Sequence, residues 1–209
     1  MISRFPGVIL SGGKSSRMGE PKALLPFGPA RLIDHVAARL APQVSGLYLN
    51  SNNPDITLPG VVAFGDRFAG FPGPLGGIHA ALAFVAETET LRSTHVAIVP
   101  VDAPFFPADL IARLAEQLTG PDDVALTVSD GQMHPVMGLW PLSAAPRLTV
   151  WLENPPTLKV RAFVEGLPVR TVEFPDIDTP LGPLDPFFNI NTKDDLAQAR
   201  KIFDVVGPA

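Results

Sequence analysis

The sequence predicts an α/β fold, a single three-layer α/β/α sandwich around a mostly parallel central sheet. Two observations predict it. Short apolar runs alternate with segments of helical period from residue 7 to about residue 128, which is the pattern of successive βαβ units. The chain has 209 residues, 46% hydrophobic and 18% charged, enough for one substantial core and short for two.

The strand-like runs are Gly7 to Leu10, Gly46 to Asn50, Val61 to Phe64, His95 to Val101 and Val124 to Val128. Each is short, apolar and bounded by turn residues, as buried parallel strands are. Between them Leu32, Ile33, Val36 and Leu40 recur at helical spacing, then Ile78, Leu82 and Val85, then Leu110, Ile111, Leu114 and Leu118. Right-handed crossovers put such helices on both faces of the sheet, and ligands bind beyond the carboxyl ends of the strands. Functional residues are therefore expected just after strands.

Beyond residue 140 the pattern loosens. Pro141, Pro146, Pro155, Pro156, Pro168, Pro175, Pro180, Pro183 and Pro186 break the chain into short pieces, read as an elaboration of the same domain. The last clear element runs from Thr192 to Phe203, with Thr192 as N-cap and Asp195 completing a capping box.

A net charge of -5 argues against nucleic acid or an anionic membrane as the partner and favours a small molecule. The chain has no cysteine, so any metal must sit on oxygen or imidazole. No signal-peptide core is read near the N-terminus, and no run reaches the roughly 18 apolar residues of a membrane span. A cytoplasmic enzyme is expected.

The stretch from Gly7 to Lys22, G-V-I-L-S-G-G-K-S-S-R-M-G-E-P-K, is the most informative. A buried strand runs into Gly12 and Gly13, which let the backbone approach an anion closely, and then into Lys14, Arg17 and Lys22, which supply charge. A plain tight turn and a solvated basic loop are the competing readings. The P-loop motif fails on spacing: Gly13-Lys14-Ser15 gives its ending, but the glycine required five positions earlier is Val8.

Asp102 ends the strongest strand and is placed to hold a magnesium ion, which needs only one or two carboxylates beside substrate phosphates. Capping the turn toward Pro104 is the alternative for it. Asp66 follows the third strand and either contacts a ligand or pairs with neighbouring Arg67. Asn189 and Asn191 share one face of an extended segment, where turn formation beside Thr192 is the competing role. His134, before Pro135, is read as a structural histidine or as a contact to a second substrate. The glycine-rich stretch from Gly70 to Gly77 forms either a close-fitting loop or a long turn into a helix starting near Ile78.

The opening L-S-G-G-K-S-S-R-M-G-E-P-K-A-L-L from Leu10 to Leu25 resembles the signature of the molybdenum cofactor guanylyltransferases and related nucleotidyltransferases. Further landmarks follow in family order: Asn50, Asp66, G-P-L-G-G-I from Gly73 to Ile78, P-V-D-A-P from Pro100 to Pro104, His134-Pro135, and F-N-I-N-T from Phe188 to Thr192. The resemblance thus covers nearly the whole chain. It departs at Ser11, where alanine is usual, at Pro21, where an aspartate often stands and which leaves Glu20 as the nearest acid, and at Val101, where cysteine is common.

The resemblance implies a Rossmann-like nucleotidyltransferase fold and transfer of GMP from GTP to molybdenum-molybdopterin, with magnesium as cofactor. It implies nucleotide contacts from Leu10, Ser11, Gly12, Gly13, Lys14, Lys22, Asn50, Asp66, Gly76, Asn189 and Asn191, a catalytic set of Lys22, Arg17 and Asp102, and the metal on Asp102. Residues 1–128 would then form the nucleotide-binding core, and 129–209 the acceptor side with the C-terminal helix. A monomer or weak homo-oligomer is expected, with transient partners in cofactor delivery. Guanine is inferred from the L-x-G-G form of the opening. The alternatives are a same-fold enzyme using another base, such as cytidylyl transfer, or a sugar or polyol phosphate acceptor, and a nucleotide-binding module without turnover.

Overall fold

The computed structural model describes residues 5–12, 19–70, 73–88 and 93–207. In chain order the elements are β1 (Gly7–Leu10), the short pair β2 (Pro26–Phe27) and β3 (Ala30–Arg31), α1 (Leu32–Leu40), β4 (Leu47–Asn50), β5 (Val62–Phe64), α2 (Pro74–Thr88), β6 (His95–Pro100), α3 (Leu110–Glu116), β7 (Val124–Ser129), β8 (Gln132–Pro141), α4 (Ala144–Glu153), α5 (Val160–Val164), β9 (Val169–Glu173), β10 (Ile177–Thr179), β11 (Gly182–Leu184) and α6 (Lys193–Val206).

Seven strands form one sheet in the order β5-β4-β1-β6-β8-β7-β9. Pairing is parallel between β1 and β4, β1 and β6, β4 and β5, and β7 and β9. β8 runs antiparallel to both β6 and β7.

Alternation along the strands sorts the core into two layers. On β1, Ile9 faces one side while Val8 and Leu10 face the other; on β6, Ala97 and Val99 part in the same way from Val96 and Ile98. The first face is covered by Ile33, Val36 and Leu40 of α1 and by Leu110, Ile111 and Leu114 of α3. Leu75, Ile78, Leu82 and Val85 of α2, with Leu148 and Leu152 of α4 and Phe163 of α5, cover the second. Each such side chain contributes roughly 1.5–3 kcal/mol of burial, so helix spacing and strand alternation dictate the sandwich together. α6 packs Leu196, Ala199, Ile202 and Phe203 against Phe27, Leu32 and Phe105. Its start is the expected capping box: Thr192 Oγ1 accepts from the Asp195 N–H, and Asp195 Oδ2 accepts from the Thr192 N–H.

Several expectations need correction. The third strand was expected to be buried, but β5 is the sheet's edge and leaves Val62 55% exposed. The helix expected near Ile78 begins four residues earlier, with Pro74 as its first residue, a position where a missing N–H costs nothing. α3 ends at Glu116 rather than reaching Leu118. The proline-rich second part is more regular than its pattern suggested: β8 lies between β6 and β7 in the middle of the sheet. It tolerates Pro135 because the ladder is broken there. Pairing with β7 jumps from Leu126↔Gly138 to Thr127↔His134, so Pro135, Val136 and Met137 leave the register as a bulge.

Gly138 sits where β8 presses closest on β7. A Cβ there would lie 2.3 Å from the Ala125 carbonyl oxygen and 2.8 Å from Leu126 Cδ2. Gly138→Ala is therefore expected to destabilise the protein by about 1–3 kcal/mol in chemical denaturation. Gly120→Ala, whose Cβ meets nothing within 4 Å, stays within about 0.5 kcal/mol of the wild type.

Candidate active site

The carboxyl ends of β1, β4, β5 and β6 open into a cavity of about 1000 Å³. Leu10, Ser11, Gly12, Lys22, Asn50, Asp66, Asp102 and Asn189 all line it, so most of the residues singled out in the sequence converge on one place. Gly13, Lys14 and Arg17 lie outside the described residues.

On the β1–β4–β5 side, Asn50 is 1% exposed and its Nδ2 donates to Asp66 Oδ1 at 3.1 Å. Asn52 grips the same aspartate twice: its Nδ2 donates to Asp66 Oδ2 at 2.9 Å, and its Oδ1 accepts from the Asp66 N–H at 2.7 Å. The carboxylate is thus held in one orientation at the cleft wall. Arg67, the partner the sequence offered for Asp66, instead forms an ion pair with Glu87. Beside Asp66, Ser11 donates its N–H to the Asn50 carbonyl, while its buried Oγ has no hydrogen-bond partner among the described residues.

The first turn of α2 closes this side. Gly73, Pro74 and Gly77 line the cleft, with the positive end of a 15-residue helix behind them. Gly76, expected as a contact, is buried within that turn and donates its N–H to the Gly73 carbonyl. Gly77, next to it, is the one that lines the cleft. A Cβ on Gly77 would come within 2.8 Å of Asn50 Oδ1 and 3.4 Å of the Leu10 methyls, so the helix reaches the sheet edge only because this residue has none.

Asp102 stands at the seam. It follows β6, the Ile190 N–H donates to its carbonyl, and its Oδ2 accepts from Lys22 Nζ at 2.8 Å with the two side chains 23% and 20% exposed. Lys22 Nζ also donates to Asn191 Oδ1 at 2.9 Å. Asn191 lies off the cavity wall but reaches it through this lysine. Its own N–H donates to Asp195 Oδ2, and that backbone contact, with the capping bonds of Thr192, holds the Asp195 carboxyl below its ordinary value. The helix cap and the cleft are therefore mechanically joined.

Beyond β6 the wall is of another kind. Met133, Pro135, Val136, Met137 and Phe187 give it an apolar surface broken by His134. This wall exists because β8 is antiparallel: its first residues, rather than those after its end, lie beside the carboxyl end of β6. The His134 ring nitrogen Nε2 is 2.7 Å from Ser129 Oγ. Burial pushes the His134 imidazolium below its ordinary value, opposed by the charges of Asp185 and Glu173.

Asn52, Gly77, Ser129 and Asp185 were missed in the sequence. The Ser51-Asn52-Asn53-Pro54 run reads as an ordinary turn, and Ser129 and Asp185 are 56 positions apart with no local signal to join them. No group of three or more His, Asp or Glu gathers to hold a metal among the described residues. Asp102, paired with Lys22 at a cleft of about 1000 Å³, nonetheless suits magnesium or manganese, which need only one or two carboxylates and take their remaining ligands from phosphate and water.

A mostly parallel βα sheet that brings Asp66 and Asp102 to a cleft beyond its strand ends, between a polar wall and an apolar one, is the architecture of an α/β nucleotide-handling enzyme. Residues 7–171 match the family model of the MobA-like NTP transferase domain, and the chain belongs to that family of nucleotidyltransferases. It is 45% identical over 197 residues to a molybdenum cofactor guanylyltransferase of Rhizobium meliloti, covering 93% of this chain and 90% of the relative. The solved molybdopterin-guanine dinucleotide biosynthesis protein A of Archaeoglobus fulgidus shares the fold at TM-score 0.72 and 22% identity, over 96% of this chain and 99% of that one. A Mycobacterium tuberculosis protein solved in complex with manganese does so at TM-score 0.65 and 16% identity, over 96% and 100% of the two chains.

Gly77→Ala is expected to push Asn50 off Asp66 and weaken nucleoside triphosphate binding roughly tenfold, the equivalent of one to two hydrogen bonds. Equilibrium titration with a fluorescent triphosphate analogue, alongside thermal melting, checks this; Asn52→Ala should move affinity in the same direction.

Proposed function

We propose that the chain is a molybdenum cofactor guanylyltransferase, transferring GMP from GTP to molybdenum-molybdopterin to give the guanine dinucleotide cofactor and pyrophosphate. The observation that carries this reading is the two-sided cleft meeting at Asp102 in a chain 45% identical to a relative of that name. The terminal phosphate oxygen of the acceptor attacks the α-phosphorus of GTP; the bond from that phosphorus to the bridging oxygen breaks, and pyrophosphate leaves with the electron pair.

The attacking oxygen is already a nucleophile, so the protein needs alignment and charge neutralisation rather than a serine, cysteine or strong base. Gly12, Gly13, Lys14 and Arg17 cradle the triphosphate, and Asn50 and Asp66 fix the nucleoside. Lys22 turns from Asp102 to the phosphates, while Asn189 and Asn191 border the reacting groups. Asp102 would hold the magnesium, which would supply Lewis-acid charge neutralisation at the phosphates. The exchange is affordable: a partly open ion pair is worth about 1 kcal/mol or less, whereas a ligand bound at micromolar strength releases about 8 kcal/mol. Residues 129–209 supply the acceptor side. Among the described residues no helix is long and apolar enough to cross a membrane.

Pyrophosphate release with magnesium and each of GTP, CTP, ATP and UTP, with and without molybdopterin, tests the reading. Acceptor-dependent release with GTP alone is expected, reduced at least about a hundredfold in Asp102→Ala and Lys22→Ala, the scale of losing one electrostatic group at a reacting phosphate. Release with CTP instead reassigns the base. Silence with every triphosphate removes this acceptor or the activity.

A further inference from the structure

The apolar wall contains a polar chain that the transfer reaction does not use. Ser129, 1% exposed, sits between His134 and Asp185: its Oγ is 2.7 Å from His134 Nε2 and 2.8 Å from Asp185 Oδ1. Asp185 Oδ1 also accepts the Phe187 N–H at 2.8 Å. The direction of the chain follows from its proton count. A carboxylate only accepts, so the single hydroxyl proton of Ser129 goes to Asp185. The serine oxygen then accepts, and His134 Nε2 must carry the proton it receives.

The other ring nitrogen is left over. No group among the described residues hydrogen-bonds to His134 Nδ1, and it is not among the fully buried polar atoms left unpartnered, so it keeps solvent access on a residue that lines the cleft. Burial favours the neutral ring, and in a neutral imidazole protonated at Nε2, Nδ1 offers a lone pair. A phosphate there would set lone pair against lone pair. A ring N–H would not.

We propose that His134 recognises the ring of the acceptor, its Nδ1 accepting a hydrogen bond from a ring N–H, with Ser129 and Asp185 as positioning residues that fix its tautomer. This rests on the acceptor assigned above, whose pterin ring system carries N–H donors along one edge and a flat face. Met133 and Val136, half-buried on the same wall, provide the apolar surface such a face lies against. The segment holding Asp185 also runs to Ile190, pinned by its N–H to the Asp102 carbonyl. One stretch of chain thus sets both the ring-reading histidine and the carboxylate where transfer occurs.

Two measurements test this on the full-length protein. Titrations with metal-free molybdopterin under anaerobic conditions should show His134→Phe weakened roughly tenfold, the loss of one well-placed hydrogen bond, and His134→Gln, whose amide oxygen still accepts, weakened less. GTP affinity should be unchanged in both. Nitrogen-15 chemical shifts of His134 in the ligand-free protein should show Nε2 protonated and Nδ1 bare, with that preference lost in Ser129→Ala. Unchanged molybdopterin affinity in His134→Phe, an equal loss for GTP, or a protonated Nδ1 in the wild type each overturns the proposal while leaving guanylyl transfer intact. A wild type that binds no molybdopterin overturns both.

Discussion

The constraint on which the rest depends is the contact between Lys22 and Asp102. It joins the loop after β1 to the end of β6 across 80 positions of sequence, and through Asn191 it adds the N-terminus of α6. Three remote parts of the chain are thereby brought to one point, and each is held by ordinary structure: a buried strand pair in parallel register, a carbonyl bonded to Ile190, and a capping box. The ammonium keeps a partly desolvated aspartate paired, and on the proposed function it holds the carboxylate that the cation would take when substrate brings its own charge.

Around that point the cleft has two characters, and the strand order explains why. β1, β4 and β5 lie to one side of β6 and end in glycines, asparagines and Asp66, with Asn50, Asn52 and Asp66 tied together by hydrogen bonds. β8 lies to the other side and is reversed, so its opening residues, including the bulge from Pro135 to Met137, face the same edge. A reversed strand next to a parallel half-sheet thus gives a two-substrate enzyme a second wall.

Much of the first half was legible because its signals are local. Apolar runs and helical spacing placed β1, β4, β6, β7, α1 and the end of α2, the rule that ligands sit beyond strand ends placed Asp102 at the cleft, and the family resemblance placed Asn50 there. Thr192 and Asp195 announced α6 three residues apart. The second half was less legible for two physical reasons. Prolines that read as breakers sit at the end of β8 at Pro141 and in the first turn of α4 at Pro146, places where a missing N–H is tolerated, as it is in the bulge at Pro135. Tertiary ties such as Asn52 to Asp66 and Ser129 to Asp185 leave no trace in spacing at all. Gly76 and Gly77 look alike in the sequence, and only the approach of α2 to Asn50 tells which one borders the cleft.

The most direct measurement is a manganese titration in the presence of GTP, followed by electron paramagnetic resonance, on the wild type and on Asp102→Asn, which keeps shape and removes charge. If Asp102 anchors the cation at the seam, the wild type forms a protein–manganese–GTP complex that the variant binds at least about tenfold more weakly, with its melting temperature little changed. Equal affinity in the two proteins would contradict the account, because the metal would then be held elsewhere and the meeting of the two walls at Asp102 would have no chemical purpose.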